Sequence, residues 1–327
     1  MPSIGIGLIG LGRHGLRYAR HLLQDIAQAK LVAVCRRTVE RGHGLDTGHE
    51  VRCYGDYRQL VTDPEVDAVV VVTPPTLARS ICLEAVQAKK PILIEKPLAA
   101  TGAEARTIVQ TAARAGVPLM TAQTLRFDPT VLALRARLPT VGRRRYLTLT
   151  TRIERSAQSG KDPHDYGGRG VLLEVGVHLL DLVRFLTGEE VQDVRCELAD
   201  SSGLGVETRA FVTLRTAGGL SCVIDVSRES PVRTSRAEWI GEDGQLMADW
   251  FHHRLVVHAA DGACAVHDLE PRPTIVAVLR AFLDALIRGT PMPVSGEDGQ
   301  RAVEIADACY ESAASGTTVA LPVVNAG

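Results

Sequence analysis

Six residues near the start of the chain, Gly10-Leu11-Gly12-Arg13-His14-Gly15, fit the pattern G-x-G-x-x-G. They follow a short apolar run, Ile4–Ile9, and open a segment of helical spacing from Leu16 to Gln28, the setting in which this pattern holds a phosphate. Gly10 allows a tight turn, Gly12 lets the backbone approach a pyrophosphate, and Gly15 lets helix and strand pack closely. The free N–H groups of the helix start then face the anion. Arg13 and His14 lie inside the turn and count with the glycines as contacts to a dinucleotide. The His14 ring is otherwise read, like His21, His43 and His49, as a surface or turn histidine. At the end of the second apolar run the chain reads Val34-Cys35-Arg36-Arg37-Thr38, without the carboxylate that usually bonds a ribose 2′-hydroxyl. Arg36, Arg37 and Thr38 suit a 2′-phosphate, because guanidinium offers paired donors to phosphate and stacks on adenine. NADP is therefore expected, with NAD as the alternative. The bland reading leaves both arginines solvated at a strand end.

Two further constellations carry groups able to move a proton. Ile92-Leu93-Ile94-Glu95-Lys96-Pro97 places a charged pair directly after an apolar strand, at the sheet edge where doubly wound folds bind ligands. Lys96 there either protonates or orients a substrate oxygen with Glu95 holding it, or the two form a surface ion pair. Glu174 and His178 are spaced i, i+4 and share one face if both are helical. Histidine is the side chain suited to proton transfer near neutral pH, and a carboxylate can orient it. The alternative is an ordinary hydrogen-bonded histidine in an amphipathic helix. His164, Asp165 and Tyr166 sit in a polar, glycine-rich stretch from Ser156 to Gly170, read as either a mobile surface loop or an active-site cover, and Tyr166 is a candidate substrate contact.

These residues need elements to position them. Up to residue 123 the pattern alternates: after Leu31–Cys35 come Val66–Thr73, Leu77–Ala88, Pro91–Glu95, Thr101–Ala115 and Pro118–Gln123. Strand and helix in turn, joined by short connections, predict a doubly wound parallel sheet. From 124 the texture changes. A helix is expected at Pro129–Leu138, alternation at Tyr146–Ile153, and one amphipathic helix over Gly170–Leu186. Alternating runs follow at Val206–Arg215, Leu220–Arg228, Ser235–Ile240 and Leu255–His258. In Leu220–Arg228 one face carries Leu220, Cys222, Ile224 and Val226, the mark of an antiparallel sheet with one buried face. Helices at Thr274–Arg288 and Gly296–Ala314 close the chain. The expected organisation is residues 1–123 as a dinucleotide-binding domain and 124–327 as a substrate and oligomerisation domain, its last helices able to pack back on the first.

With 327 residues, 45% hydrophobic and 23% charged, the composition is that of a folded globular protein. The 37 basic and 38 acidic residues leave a net charge of −1, which argues against nucleic acid or a membrane surface as partner. No apolar run approaches the ~20 residues that span a bilayer, and the N-terminus reads as a strand rather than a signal. The seven cysteines are scattered and none forms a CxxC pair, so no zinc site is expected and a reduced, cytoplasmic setting is. Arg143-Arg144-Arg145 begins an apparent strand and is read as a solvated edge rather than an anion site.

Taken together, the motifs resemble the glucose–fructose oxidoreductase/inositol dehydrogenase (Gfo/Idh/MocA) family. The likeness rests on the first glycine turn, Thr73-Pro74, Glu95-Lys96-Pro97, Arg126-Phe127-Asp128-Pro129, Gly167-Gly168-Arg169-Gly170 leading to Glu174, Gly176, His178 and Asp181, and Gly296-Glu297-Asp298-Gly299. It spans nearly the whole chain. It implies a Rossmann domain followed by an α/β domain with a large open antiparallel sheet, which often joins subunits into homodimers or homotetramers. It implies hydride transfer to or from a carbinol carbon of a sugar, cyclitol or keto-sugar, with substrate in the cleft between domains. Thr73, Pro74, Glu95, Lys96 and Arg126 would then touch the cofactor, and Lys96, Tyr166, Glu174 and His178 the substrate. Lys96 and His178 would handle the proton, with Glu174 orienting the histidine. Two departures stand out: Glu174 occupies the family's aspartate position, and Thr73-Pro74-Pro75-Thr76 lacks a histidine common there. The first keeps open an alternative, a non-catalytic dinucleotide-binding redox sensor or regulator.

Overall fold

The computed structural model describes residues 3–38, 44–45, 48–154, 163–203 and 205–322, and of 163 and 164 only the backbone. The chain divides into two compact units, Met1–Thr124 with Pro273–Gln300, and Leu125–Arg272 with Arg301–Gly327.

The first unit is a six-stranded parallel sheet. Its strands are β1 (Ile4–Ile9), β2 (Ala29–Cys35), β3 (Arg52–Tyr54), β4 (Ala68–Val71), β5 (Ile92–Glu95) and β6 (Leu119–Ala122), in the order β3-β2-β1-β4-β5-β6. The run Ala68–Val71 is buried throughout, as β-branched residues in a central strand covered on both faces should be. Four helices connect the strands: α1 (Arg13–Gln24), α2 (Tyr57–Val61), α3 (Ala78–Gln87) and α4 (Gly102–Ala115). Thr101 caps α4 by accepting from the Glu104 N–H, and Gly116, left-handed at φ 65°, ends it. A later helix, α7 (Thr274–Arg288), belongs to this unit too, and its Arg280 donates to the Asp25 carbonyl at the end of α1.

The second unit is built on one nine-stranded sheet: β7 (Arg144–Glu154), β8 (Val191–Ala199), β9 (Arg209–Thr216), β10 (Ser221–Ser230), β11 (Thr234–Gly241), β12 (Gly244–Asp249), β13 (Arg254–Ala259), β14 (Cys264–Asp268) and β15 (Val319–Ala320). The alternation of β9, exposed then buried along its length, leaves one covered and one open face. The sheet is mixed rather than purely antiparallel, because β7 runs parallel to β10 while pairing antiparallel with β11. A strand separated from its partner by a whole helix and a hairpin can enter in either direction, and alternation does not encode which. Strand β8 has the same patterning but was not expected from the sequence. The described helices of this unit are α5 (Pro129–Arg137), α6 (Val177–Thr187) and most of α8 (Gly296–Ser315). The arginine run is exposed at the start of β7, as expected, and makes surface ion pairs there: Arg144 with Glu189, and Arg145 with Glu242 at 2.9 Å.

Candidate functional site

In the first unit the site begins at the glycine turn. Gly10 has φ 99°, and a Cβ on it would lie 2.2 Å from the Val72 carbonyl oxygen. At Gly15 an added Cβ would sit 1.8 Å from the Gly10 carbonyl oxygen, so the first turn of α1 cannot accept a side chain there. A Cβ on Gly12, by contrast, would meet nothing within 4 Å. That glycine caps α1 without any side-chain hydrogen bond, and the first turn holds no acidic residue. A helix start with unclaimed N–H groups, no carboxylate and open space in front of it is an anion cradle. Nearby, past the end of β4, the Thr73 hydroxyl is buried and has no hydrogen-bond partner among the described residues. A buried hydroxyl in that state is open to a ligand's hydrogen bond, and with the cradle beside it the residues present fit a dinucleotide.

Behind the turn lies a cluster around Glu95, in which Tyr18 was not singled out from the sequence. The Glu95 carboxylate, 8% exposed, meets His14 Nε2 at 2.8 Å, accepts from the Tyr18 hydroxyl at 2.6 Å and accepts from the Lys96 backbone N–H at 3.0 Å. Burial works against its ionisation, yet the hydrogen bond from His14 and the charges of His14 and Lys96 hold it below the usual carboxylate range. Burial also keeps the Tyr18 phenol protonated, far above its ordinary value. Glu95 thus ties the turn carrying Lys96 to the helix behind the glycines. His14 is an exposed residue of the turn, as read from the sequence, and its ring also holds Glu95. The spacing of His14 and Tyr18, i and i+4 on one face of α1, was the available signal. Of the remaining histidines, His21 pairs with Asp25 at 2.6 Å, His49 meets the Leu31 carbonyl at 2.9 Å, and His43 lies outside the described residues.

At the end of β2, Arg36 is half-buried and Arg37 and Thr38 are exposed. Burial and the nearby Asp56 push the Cys35 thiol up to about 11, so it stays neutral. Asp56 itself caps α2, accepting from the Arg58 N–H at 2.9 Å.

In the second unit the predicted single helix over Gly170–Leu186 is two pieces. Leu172–Gly176 forms a wide π turn, and α6 continues from Val177. Glu174, 8% exposed, sits in the π turn, and His178, half-buried, in the first turn of α6. Periodicity cannot show such an insertion, since the apolar face continues on both sides of it. The Glu174 carboxylate is ion-paired with Arg228 of β10. Arg228 was not singled out from the sequence, although it continues the inward row Cys222, Ile224, Val226, and an arginine at an inward position was a signal. Glu207 anchors the start of the π turn: its carboxylate accepts from the Gly170 N–H at 2.8 Å, the Leu172 N–H at 3.1 Å and the Tyr310 hydroxyl at 2.6 Å.

Arg126 falls in this second unit, where Nε and Nη2 donate to the two Asp181 oxygens at 2.8 and 2.6 Å while the guanidinium lies over the Phe185 ring. It braces α6 just beyond His178. Tyr166 is half-buried in a short turn, Pro163–Tyr166, and the side chain of His164 and residues 155–162 lie outside the described ones.

Comparison with known proteins finds three matches along the chain. Residues 4–123 match the oxidoreductase family's NAD-binding Rossmann fold, residues 139–247 the GFO/IDH/MocA C-terminal domain, and residues 263–321 the oxidoreductase family's C-terminal alpha/beta domain. Inositol 2-dehydrogenase 1 of Saccharopolyspora erythraea is 30% identical over 97% of this chain and 96% of its own. D-apiose dehydrogenase of Paraburkholderia graminis is 28% identical over 98% and 90%. Among solved structures, an oxidoreductase from Agrobacterium radiobacter in complex with NAD+, L-tartaric acid and magnesium superposes with a TM-score of 0.84 at 25% identity, covering 97% of this chain and 98% of that one. Three matched domains and a relative 30% identical over nearly the whole chain show that it belongs to the Gfo/Idh/MocA family of oxidoreductases.

Proposed function

We propose that this chain is an NADP-preferring dehydrogenase or reductase acting at a CH–OH carbon of a sugar, cyclitol or related polyol. The observation that carries the reading is the acid–histidine pair, Glu174 and His178, built on an irregular helix start in the domain that follows a dinucleotide fold. The relatives named for inositol and apiose dehydrogenation support the substrate class. The bound nicotinamide supplies the hydride chemistry. Gly10, Gly12 and Gly15 with Arg13 and His14 hold the pyrophosphate, and Thr73 and Pro74 lie along its path. Arg36, Arg37 and Thr38 meet the 2′-phosphate, since Asp56 is engaged as a helix cap and no carboxylate follows Cys35. His178 takes the hydroxyl proton as the hydride leaves, and Lys96 stabilises the developing alkoxide. Glu174 keeps the histidine beside a fixed carboxylate, Tyr166 contacts substrate, and Arg126 holds the helix through Asp181. No observation favours the non-catalytic alternative.

The open face of the large sheet carries Tyr146, Phe211 and Val223, each 41–44% exposed and gathered on neighbouring strands. We assign it to contact between subunits, as dimer or tetramer, and sedimentation at micromolar concentration showing only a 35 kDa species would refute that.

The test of function is a screen of NADP+ and NAD+ reduction against cyclitols, pentoses, hexoses and their acids, with the reverse assay on keto-sugars. Turnover of a polyol is expected, with NADP(H) bound more tightly than NAD(H) in a nicotinamide-fluorescence titration. Arg36→Asp should narrow the preference about tenfold, the scale of one charge-assisted contact. A wild-type preference for NADH sinks the cofactor assignment, and silence across the screen sinks the activity.

A further inference from the structure

On the inner face of the second unit's sheet, apolar rows give way to polar ones. Cys222, Leu147 and Trp239 are aligned across β10, β7 and β11, then Ile224, Leu149 and Ala237, then Val226, Thr151 and Ser235. The next inward position on β10 is Arg228. The π turn docks at this polar end: a Cβ on Gly176 would lie 3.3 Å from Val226 Cγ1, so the turn lies close against β10 two residues before the arginine. Glu207 holds the other end of the turn through the Gly170 and Leu172 N–H groups. The turn is therefore pinned at both ends, and Glu174 between them meets the Arg228 guanidinium.

We infer that Arg228 is the positioning residue of the proton-transfer site, holding Glu174 so that His178 works beside a balanced ion pair. Glutamate in place of the family's aspartate has one more methylene, which lengthens its reach toward β10. A carboxylate buried this deeply is costly without a partner. A guanidinium is the partner that never loses its charge and fixes direction through a planar fork of donors. Other described charged side chains on the packed elements have partners too: Asp181 with Arg126, Arg184 with Glu190, Asp225 with Arg152, Glu229 with Arg209, Arg169 with Asp307, and Glu207 with Tyr310. The pairing changes what His178 experiences. With Glu174 four residues ahead of His178 at the same helix start, removing Arg228 should leave a net negative charge near the ring, removing Glu174 a net positive one, and removing both should restore neutrality.

The kinetic side of this inference rests on the proposed dehydrogenase reading; the titration side does not. In full-length protein labelled at histidine nitrogens, the His178 ring is titrated by NMR in wild type, Arg228→Gln, Glu174→Gln and the double variant. Arg228→Gln should raise the midpoint by about one pH unit, Glu174→Gln should lower it comparably, and the double variant should return close to wild type. Arg228→Lys, which keeps the charge, should change it little and guards against a misfolded glutamine variant. With myo-inositol and NADP+, Arg228→Gln should lower kcat about tenfold with KM less affected, Arg228→Lys should recover part, and the loss should vanish in the Glu174→Gln background. A His178 titration that Arg228→Gln leaves in place, in protein that still binds NADP(H), overturns the inference. So do fully additive kinetic losses. If the titrations shift as expected while no polyol is turned over, the dehydrogenase reading fails and the role of Arg228 stands.

Discussion

Two glutamates, each 8% exposed, flank the proposed proton-transfer residues, and the protein keeps them in different ways. Glu95 of the first unit is held by hydrogen bonds from His14, Tyr18 and the Lys96 backbone, all close to the glycine turn. Glu174 of the second unit is held by a full cation, Arg228, on a distant strand. The first arrangement ties a loop to a helix and makes a rigid edge for the dinucleotide. The second leaves a matched pair of charges at the π turn that leads into the helix bearing His178. Burial alone does not say what a carboxylate is for; its partners do.

The largest effect that bears on this contrast is expected at Gly15→Ala. The new Cβ would overlap the Gly10 carbonyl oxygen at 1.8 Å, so the turn must break or α1 must move. Loss of NADP(H) binding in fluorescence titration, with a lowered melting temperature, is the expected result. Retained affinity would show that the rigid edge is not needed.

Next come Lys96→Ala and His178→Ala, each expected to bind cofactor almost normally and lose kcat by about 10²-fold or more, the usual scale of acid–base help. Glu174→Gln should be nearly as damaging and Glu174→Asp partly active. If Lys96→Ala and His178→Ala both stay within a few-fold of wild type on a substrate from the screen, the catalytic assignment is wrong, and Tyr166 and His164 become the candidates.

A smaller effect should follow from Arg126→Met. It removes the guanidinium from the Asp181 carboxylate, 1% exposed, and breaking such a buried pair from one side costs roughly 3–5 kcal/mol. Urea unfolding would measure it, and a change below about 1 kcal/mol would show that α6 does not depend on this brace.

The smallest effect separates the glutamates by pH. The folded Glu95 carboxyl lies below the ordinary range, so its contribution is present above the unfolded value of ~4.3 and is lost as pH falls through the lower folded one. Wild type should therefore exceed Glu95→Gln in stability at pH 7, with the gap closing below about pH 4. A gap that persists at pH 3 would mean that the carboxylate's charge is not what His14 and Tyr18 hold.

How far the site was legible follows the same line. The glycine turn, Lys96 and the Glu174–His178 spacing could be read because their chemistry lies within a few residues of chain. The His14–Tyr18 face was equally local and was passed over, its residue types being common in helices. Arg228 lay in an alternating strand, one position past the last apolar residue of its row, and its partner lies in another element. The arginines at 144 and 145 are solvated as read, but their glutamates, Glu189 and Glu242, could not be named because they lie far along the chain.

By itself the sequence determined the alternation of strands and helices, the parallel sheet of the first unit and the residue types able to bind a dinucleotide and move a proton. Those properties are set by local sterics and by periodicity, both written residue by residue. Only the tertiary structure decided that β7 enters the second sheet parallel to β10, that the helix bearing His178 starts with a π turn, and that Glu174 meets Arg228 while Glu95 meets His14 and Tyr18. Each of these depends on which buried polar groups find partners when distant segments pack, a condition that no single segment carries.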